Sequence, residues 1–269
     1  MKLTTKIILG IISSIFLISL IFIIGFSFSN RKNWTYSYYK KENTISQENP
    51  VEIELDVFNT ILIDGNDDNP DENIIIAGTL SVRPDINNKN KLVLSEEMNQ
   101  YVSLNYYNDT LNICFDKSKL LEKRTVYPER NIYLHIRGAD LQLFTNNTNL
   151  ISNYEGFNID IKGIKSDYIK MNTSYAVNID SCEILSLNPY MCALQIANST
   201  INKLNIDLDS IRDWNTDNCF IEVQNVTGSE GKEVFLKDNK TKELNWYPKN
   251  EHAHLKLTLQ SDTAKIILQ

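Results

Sequence analysis

Five short stretches of this chain repeat one pattern, apolar–polar–apolar: Leu141-Gln142-Leu143, Ile159-Asp160-Ile161, Val177-Asn178-Ile179, Leu194-Gln195-Ile196 and Ile221-Glu222-Val223. The steps between their first residues are 18, 18, 17 and 27. A strand triplet at that period is what a parallel β-solenoid requires. Each coil crosses the same face once, and the two apolar residues point inward onto the coil below. The period is too short for a helix-pair repeat and too irregular for a coiled coil.

A second set, Ile169-Lys170-Met171, Leu185-Ser186-Leu187 and Leu204-Asn205-Ile206, follows the first triplets at short intervals with the same alternation. Each coil is therefore expected to carry two strands. The joining corners, Lys162-Gly163, Asp180-Ser181 and Ala197-Asn198-Ser199, are small or turn-forming. Between Leu194 and Ile221 the long step reads as an extra loop, 209–218, containing Trp214. From Val51 onward the chain alternates (Val51, Ile53, Leu55, Val57) and continues as short strands broken by acidic or Asn-rich turns. No later stretch has the caps and apolar stripe of an amphipathic helix. The expected class is all-β, a solenoid, with a β-sandwich as the competing arrangement.

The N-terminus sets an expectation for the compartment. Lys2 and Lys6 precede an uncharged, almost wholly apolar run over residues 7–28. At about 1.5 Å per residue this run is long enough to cross a hydrocarbon core of about 30 Å. It is longer than the apolar part of a cleaved signal and exits through Ser29-Asn30-Arg31-Lys32 without a small-residue cleavage pattern. The reading is a short cytoplasmic tail (1–6), a transmembrane signal anchor (7–28), a juxtamembrane stalk (29–50) and an extracytoplasmic domain (51–269). The aromatic and basic stretch from Trp34 to Lys41 suits an interfacial belt or a Tyr-rich stalk.

Three segments carry a family resemblance: Val57-Phe58-Asn59-Thr60-Ile61-Leu62-Ile63-Asp64-Gly65, Leu92-Val93-Leu94, and Asn108-Asp109-Thr110-Leu111-Asn112-Ile113. Together they resemble the opening of the autotransporter-adhesin head GIN domain family of Bacteroidetes envelopes, over roughly residues 51–269. The resemblance implies an exported right-handed parallel β-helix at the surface or in the periplasm, with no catalytic residues to carry over. Family members are richer in Gly and Ser at their corners, whereas this chain has only 9 Gly.

A net charge of −7 disfavours a nucleic-acid surface, because phosphate contacts need clustered Lys and Arg. Sequons such as Asn198-Ser199-Thr200, and Asp-Ser/Thr-apolar triplets such as Asp109-Thr110-Leu111 and Asp209-Ser210-Ile211, are short enough to arise by chance. Aligning Val177, Leu194 and Ile221 places Cys192 and Cys219 on one inward position of adjacent coils, either as thiols or as a disulfide. With no C-x-x-C pair, zinc is not expected. His252 and His254, two apart, would share one side of a strand and could seed a metal site, or simply face solvent. Neither a metal nor a cofactor is expected.

The outward residues of the triplets form an amide ladder with two acids: Gln142, Asp160, Asn178, Gln195 and Glu222. A glycosidase needs two carboxylates about 5–10 Å apart. Asp160 and Glu222 fall three coils apart in this alignment, roughly 14 Å. Lys162 and Asp180 share a further outward column and are expected to pair. The leading functional reading is a non-enzymatic, adhesin-like envelope protein that binds a glycan or a partner protein. Its candidate contacts are Trp214, Asp160, Asn178, Gln195 and Glu222, and Trp246 and Tyr247 are further aromatics that either bind or cap the solenoid end. A structural spacer ranks second and a polysaccharide-active enzyme third.

Overall fold

The structure, a computed structural model, describes residues 44–65, 74–87, 89–122, 134–146, 148–153, 156–191, 193–211, 213–236, 240–259 and 265–268. The expected anchor at 7–28 and Cys192 lie outside these residues. No helix among the described residues is long and apolar enough to cross a membrane. A compact unit runs from Ile45 to Gln269. Its described residues are all-β, built around a nine-stranded and a ten-stranded sheet.

From Gly156–Lys162 to Phe220–Gly228, successive strands alternate between the two sheets. Gly156–Lys162, Ala176–Asp180, Ala193–Ala197 and Asp213–Asp217 pair in parallel in the first sheet. Lys165–Thr173, Glu183–Tyr190, Thr200–Asp207, Phe220–Gly228 and Lys240–Pro248 do so in the second. In-register parallel pairing stacks like positions into columns. One inward column of the first sheet is Leu141, Leu80, Ile159, Val177, Leu194 and Trp214. Its neighbour ends Ile161, Ile179, Ile196, Thr216. The Ile, Leu and Val members are essentially fully buried, and each such side chain contributes about 1.5–3 kcal/mol of transfer free energy.

The first four triplets therefore sit in the first sheet as expected, and the fifth does not. Ile221 pairs with Ile201 in the second sheet. The strand next to Leu194-Gln195-Ile196 in the first sheet carries Trp214-Asn215-Thr216 instead. The expected 209–218 loop is thus a tight turn followed by a strand. A second correction concerns neighbours: the strand Ile74–Arg83 lies between the Leu141 and Ile159 strands, pairing with both.

The corners between the sheets share one conformation. Gly163, Ser181, Asn198 and Asn218 all have positive φ, between 48° and 72°. One left-handed residue reverses the chain in so short a connection, and Gly or Asn adopts it at least cost. Backbone bonding continues around the bend, with Gly163 N donating to Asp180 O, Ser181 N to Ala197 O and Asn198 N to Asp217 O at 3.0–3.1 Å. The expected ion pair is present at this corner, with Lys162 Nζ 3.1 Å from Asp180 Oδ2.

The second sheet carries a recurrent break that simple alternation misses. Along each strand the order is inward, outward, outward, inward: Ile184 and Leu187 are buried, whereas Leu185 between them is 50% exposed. From Lys165–Thr173 to Lys240–Pro248 the ladder skips the same position on each of the five strands, passing for example from Ser166↔Ile184 to Tyr168↔Ser186 and from Ile201↔Ile221 to Lys203↔Val223. Leu185 and Val223, expected to point inward, lie in the two outward places. Such an irregularity bends the strand and re-aims its side chains.

The N-terminal half closes the stack differently. Pro50–Leu55, Asn90–Ser95 and Leu141–Phe144 form an antiparallel group in the first sheet, and Val102–Tyr107 pairs antiparallel with Thr110–Phe115 at the end of the second. Phe115 of one sheet stacks on Phe157 of the other, with centroids 5.3 Å apart. Val57, placed by the alternation among inward residues, is 74% exposed. Two short helices also form, Glu96–Asn99 and Lys117–Glu122. The first is capped by Ser95, whose Oγ accepts from Met98 N at 3.2 Å. One turn is too short to leave a periodic signal in the sequence.

Candidate functional site

The predicted ladder separates into two surfaces. Its true outward column on the first sheet is Gln142, Ser81, Asp160, Asn178, Gln195 and Asn215. Asn178, Gln195 and Asn215 are exposed. Asp160 is engaged: its carboxylate meets Arg83 Nη2 at 2.5 Å, and its carbonyl accepts from Arg83 Nη1 at 2.8 Å. Glu222 does not belong to this column. It sits in the second sheet at the recurrent break, 3.0 Å from Lys242 Nζ. Asp160 and Glu222 therefore share no column, because the Ile221 strand belongs to the other sheet.

Trp214 occupies an inward position beside Leu194 and is half-buried against the core. Trp246 is inward too, only 9% exposed. Both cover apolar surface near the C-terminal end of the stack, while Tyr247 is exposed. The exposed aromatics of the second sheet among the described residues include Tyr106, Tyr107, Tyr168, Tyr190 and Tyr247. Only Tyr247 is picked out by the sequence pattern.

An open groove of about 570 Å³ lies where the corners meet the break of the second sheet. Asn59 and Asn149 line one end, Ser166 and Asp167 the middle, and Leu185 and Asn202 the other end. Lys165 and Glu183, also on its wall, pair at 2.8 Å. Thr148 lines it as well, 2% exposed, with a buried hydroxyl that has no hydrogen-bond partner among the described residues. The sequence signal for this groove is the two-residue outward step at Asp167-Tyr168, Leu185-Ser186 and Asn202-Lys203, which period-2 reading suppresses.

The polar clusters at the two bends are paired internally. Asp180 accepts from Asn198 at 2.9 Å, and this bond, with Lys162 and Ser181, holds its carboxyl below the ordinary value. At the opposite bend Lys249 Nζ lies 2.7 Å from Asp207 and 2.8 Å from Asp209. Cys219 stacks with Ser199 and Cys182, because Phe220, Thr200 and Glu183 are register partners. The expected stacking of Cys219 with Cys192 therefore gives way to this column. Cys182 and Cys219 are free and buried, and burial pushes both thiols up. They stand two rungs apart, roughly 10 Å, beyond disulfide reach. His252 and His254 lie in the turn before Leu255–Leu259 rather than on a strand. No cluster of three or more His, Cys, Asp or Glu able to hold a metal occurs among the described residues.

No family model matches the chain, and no curated protein matches it. Among solved structures it is similar to a candidate adhesin from Parabacteroides distasonis, with 10% identity over 84% of this chain and 97% of that one, and a TM-score of 0.49. A candidate lipid-binding protein from the same species has 9% identity over 84% and 99%, with a TM-score of 0.41. A candidate adhesin from Bacteroides fragilis has 13% identity over 84% and 99%, with a TM-score of 0.35. At these values the likenesses do not establish what this chain binds.

Proposed function

We propose that this chain is a non-enzymatic, adhesin-like cell-envelope protein of the head GIN type, held at the membrane by residues 7–28 with residues 51–269 extracytoplasmic. The domain is a right-handed parallel β-helix that recognises a glycan. The alternation of parallel strands between two sheets, one pass of each per coil, supports the helix. The right hand follows from the chirality of parallel crossovers.

One observation carries the recognition reading: the in-register columns hold neutral amides outward, with Asn178, Gln195 and Asn215 exposed at a repeat of about 4.8 Å. A regular array of donors and acceptors suits a repeating polar ligand. A glycan array probed with the purified full-length chain tests it. Saturable binding supports recognition, whereas no binding by a chain whose circular dichroism is that of folded β leaves the structural spacer. Anchoring is tested separately: the chain should stay with membranes in alkaline carbonate, and protease added outside should reach residues 51–269.

A further inference from the structure

We infer that the groove at the break of the second sheet is the recognition site, and that its ligand is a neutral oligosaccharide lying along the stack axis. The inference rests on the recognition reading above and adds the site, the ligand class and the direction of the bound chain.

The direction comes from topology. The groove crosses five adjacent strands of the second sheet, from the pass carrying Asn59 to the pass carrying Asn202. Four steps of about 4.8 Å make it roughly 19 Å long, so an extended ligand meets a new set of side chains on each coil. Three of these strands break at one position and turn two consecutive residues outward into the groove, at Asp167-Tyr168, Leu185-Ser186 and Asn202-Lys203.

The ligand class comes from the lining. Asn59, Asn149, Asn202 and Ser166 supply neutral donors and acceptors, which match vicinal hydroxyl groups. The one cation of the lining among the described residues, Lys165, is neutralised by Glu183 at 2.8 Å. A phosphate-, sulfate- or uronate-bearing chain would therefore meet no free positive charge in this lining and would meet Asp167. Leu185 is 50% exposed in a row whose neighbours are Asp167 and Asn202, a small apolar platform suited to the C–H face of a sugar ring. An extended peptide fits poorly, because the strands beneath the groove are paired on both sides and offer no free edge. The unpartnered Thr148 hydroxyl beneath the groove adds a polar atom that the fold itself leaves unsatisfied.

The test uses the full-length chain on an array of neutral, sulfated and uronate-containing oligosaccharides, followed by calorimetric titration of the best neutral hit. Asn202→Trp fills the groove from an exposed position, Leu185→Ala removes the apolar platform, Asn178→Ala/Gln195→Ala removes the rival first-sheet column, and Glu54→Ala, exposed on the edge strand Pro50–Leu55, is the control. Neutral binding weakened at least tenfold by Asn202→Trp and severalfold by Leu185→Ala, with the control unchanged, is expected. Binding lost in the first-sheet variant and kept in both groove variants would overturn the site while leaving recognition standing. Binding confined to anionic glycans would overturn the ligand class. Absence of binding to any glycan would overturn the site together with the recognition reading.

Discussion

Asn205 donates through Nδ2 to Asn188 Oδ1 at 2.6 Å. The contact is one rung of a ladder in which Asn225 donates to Asn205 at 2.8 Å and Asn245 to Asn225 at 3.3 Å. In-register parallel strands bring like side chains to one rung spacing, where an amide can donate to one neighbour and accept from the next. Each interior Asn makes two such bonds, and Asn188 at the end makes one, besides a long contact to Ser186 at 3.4 Å.

Asn205→Ala should therefore cost more than Asn188→Ala. At about 1 kcal/mol net per hydrogen bond, the interior substitution is expected to cost about 2 kcal/mol and the terminal one about 1 kcal/mol. Urea denaturation of both variants measures the difference, and equal costs would show that the ladder contributes no more inside than at its end.

Gln224 stands in an otherwise apolar inward column with Leu187, Leu204 and Leu244. It is fully buried, its Oε1 accepts from Thr241 Oγ1 at a long 3.4 Å, and its Nε2 has no partner among the described residues. An unmade buried bond costs about 1–3 kcal/mol. Gln224→Leu, which extends the column, should stabilise the fold by about 1–2 kcal/mol and raise Tm. A lower melting temperature would mean that the cavity geometry demands the amide.

Asn198 tests the corner. Its φ is 49°, and its side chain donates to Asp180 at 2.9 Å and accepts from Asn218 at 2.8 Å. Asn198→Gly loses the side-chain bonds and keeps the conformation, whereas Asn198→Ala loses the bonds and adds left-handed strain. The alanine variant should be less stable than the glycine variant by about 1 kcal/mol. Thermal melts of the pair isolate that term, and a more stable alanine variant would contradict a left-handed corner.

Much of this architecture is legible in the chain, and the parts that are not have physical reasons. Ile159, Val177 and Leu194 announce their strands because strict alternation marks a strand with one buried face. The next strand of the first sheet escapes the pattern because its inward pair is Trp214 and the buried Thr216. That strand ends the first sheet's order, and the next strict triplet along the chain is Ile221-Glu222-Val223 in the other sheet. Asn188, Asn205, Asn225 and Asn245 recur at steps of 17, 20 and 20, so the ladder is readable once the coil length is allowed to grow. Two features are beyond local periodicity. The insertion of Ile74–Arg83 between later strands is a long-range pairing, and the groove joins three strands that break at one level with the passes of Asn59 and Asn149.

Lys249 and Asp209 give the fold an acid-sensitive clasp. Asp209 Oδ1 accepts from Ser229 N at 3.0 Å while Oδ2 meets Lys249 Nζ at 2.8 Å. The lysine contact first, and the Ser229 bond second, pull the Asp209 carboxyl from its ordinary 3.8 down to about 2. A carboxyl with a depressed folded value contributes stability above its unfolded value and loses it as pH falls through the folded value. The contribution of this clasp is therefore complete above pH 3.8, declines between 3.8 and about 2, and is absent below. Both groups are exposed, so salt should weaken it. Carboxyl NMR titration should find Asp209 midway near pH 2 in low salt, and Lys249→Met should return it toward 3.8, since its largest perturbing contact is gone. An Asp209 that titrates near 3.8 in the unmodified chain would mean that Lys249 does not hold this position in solution.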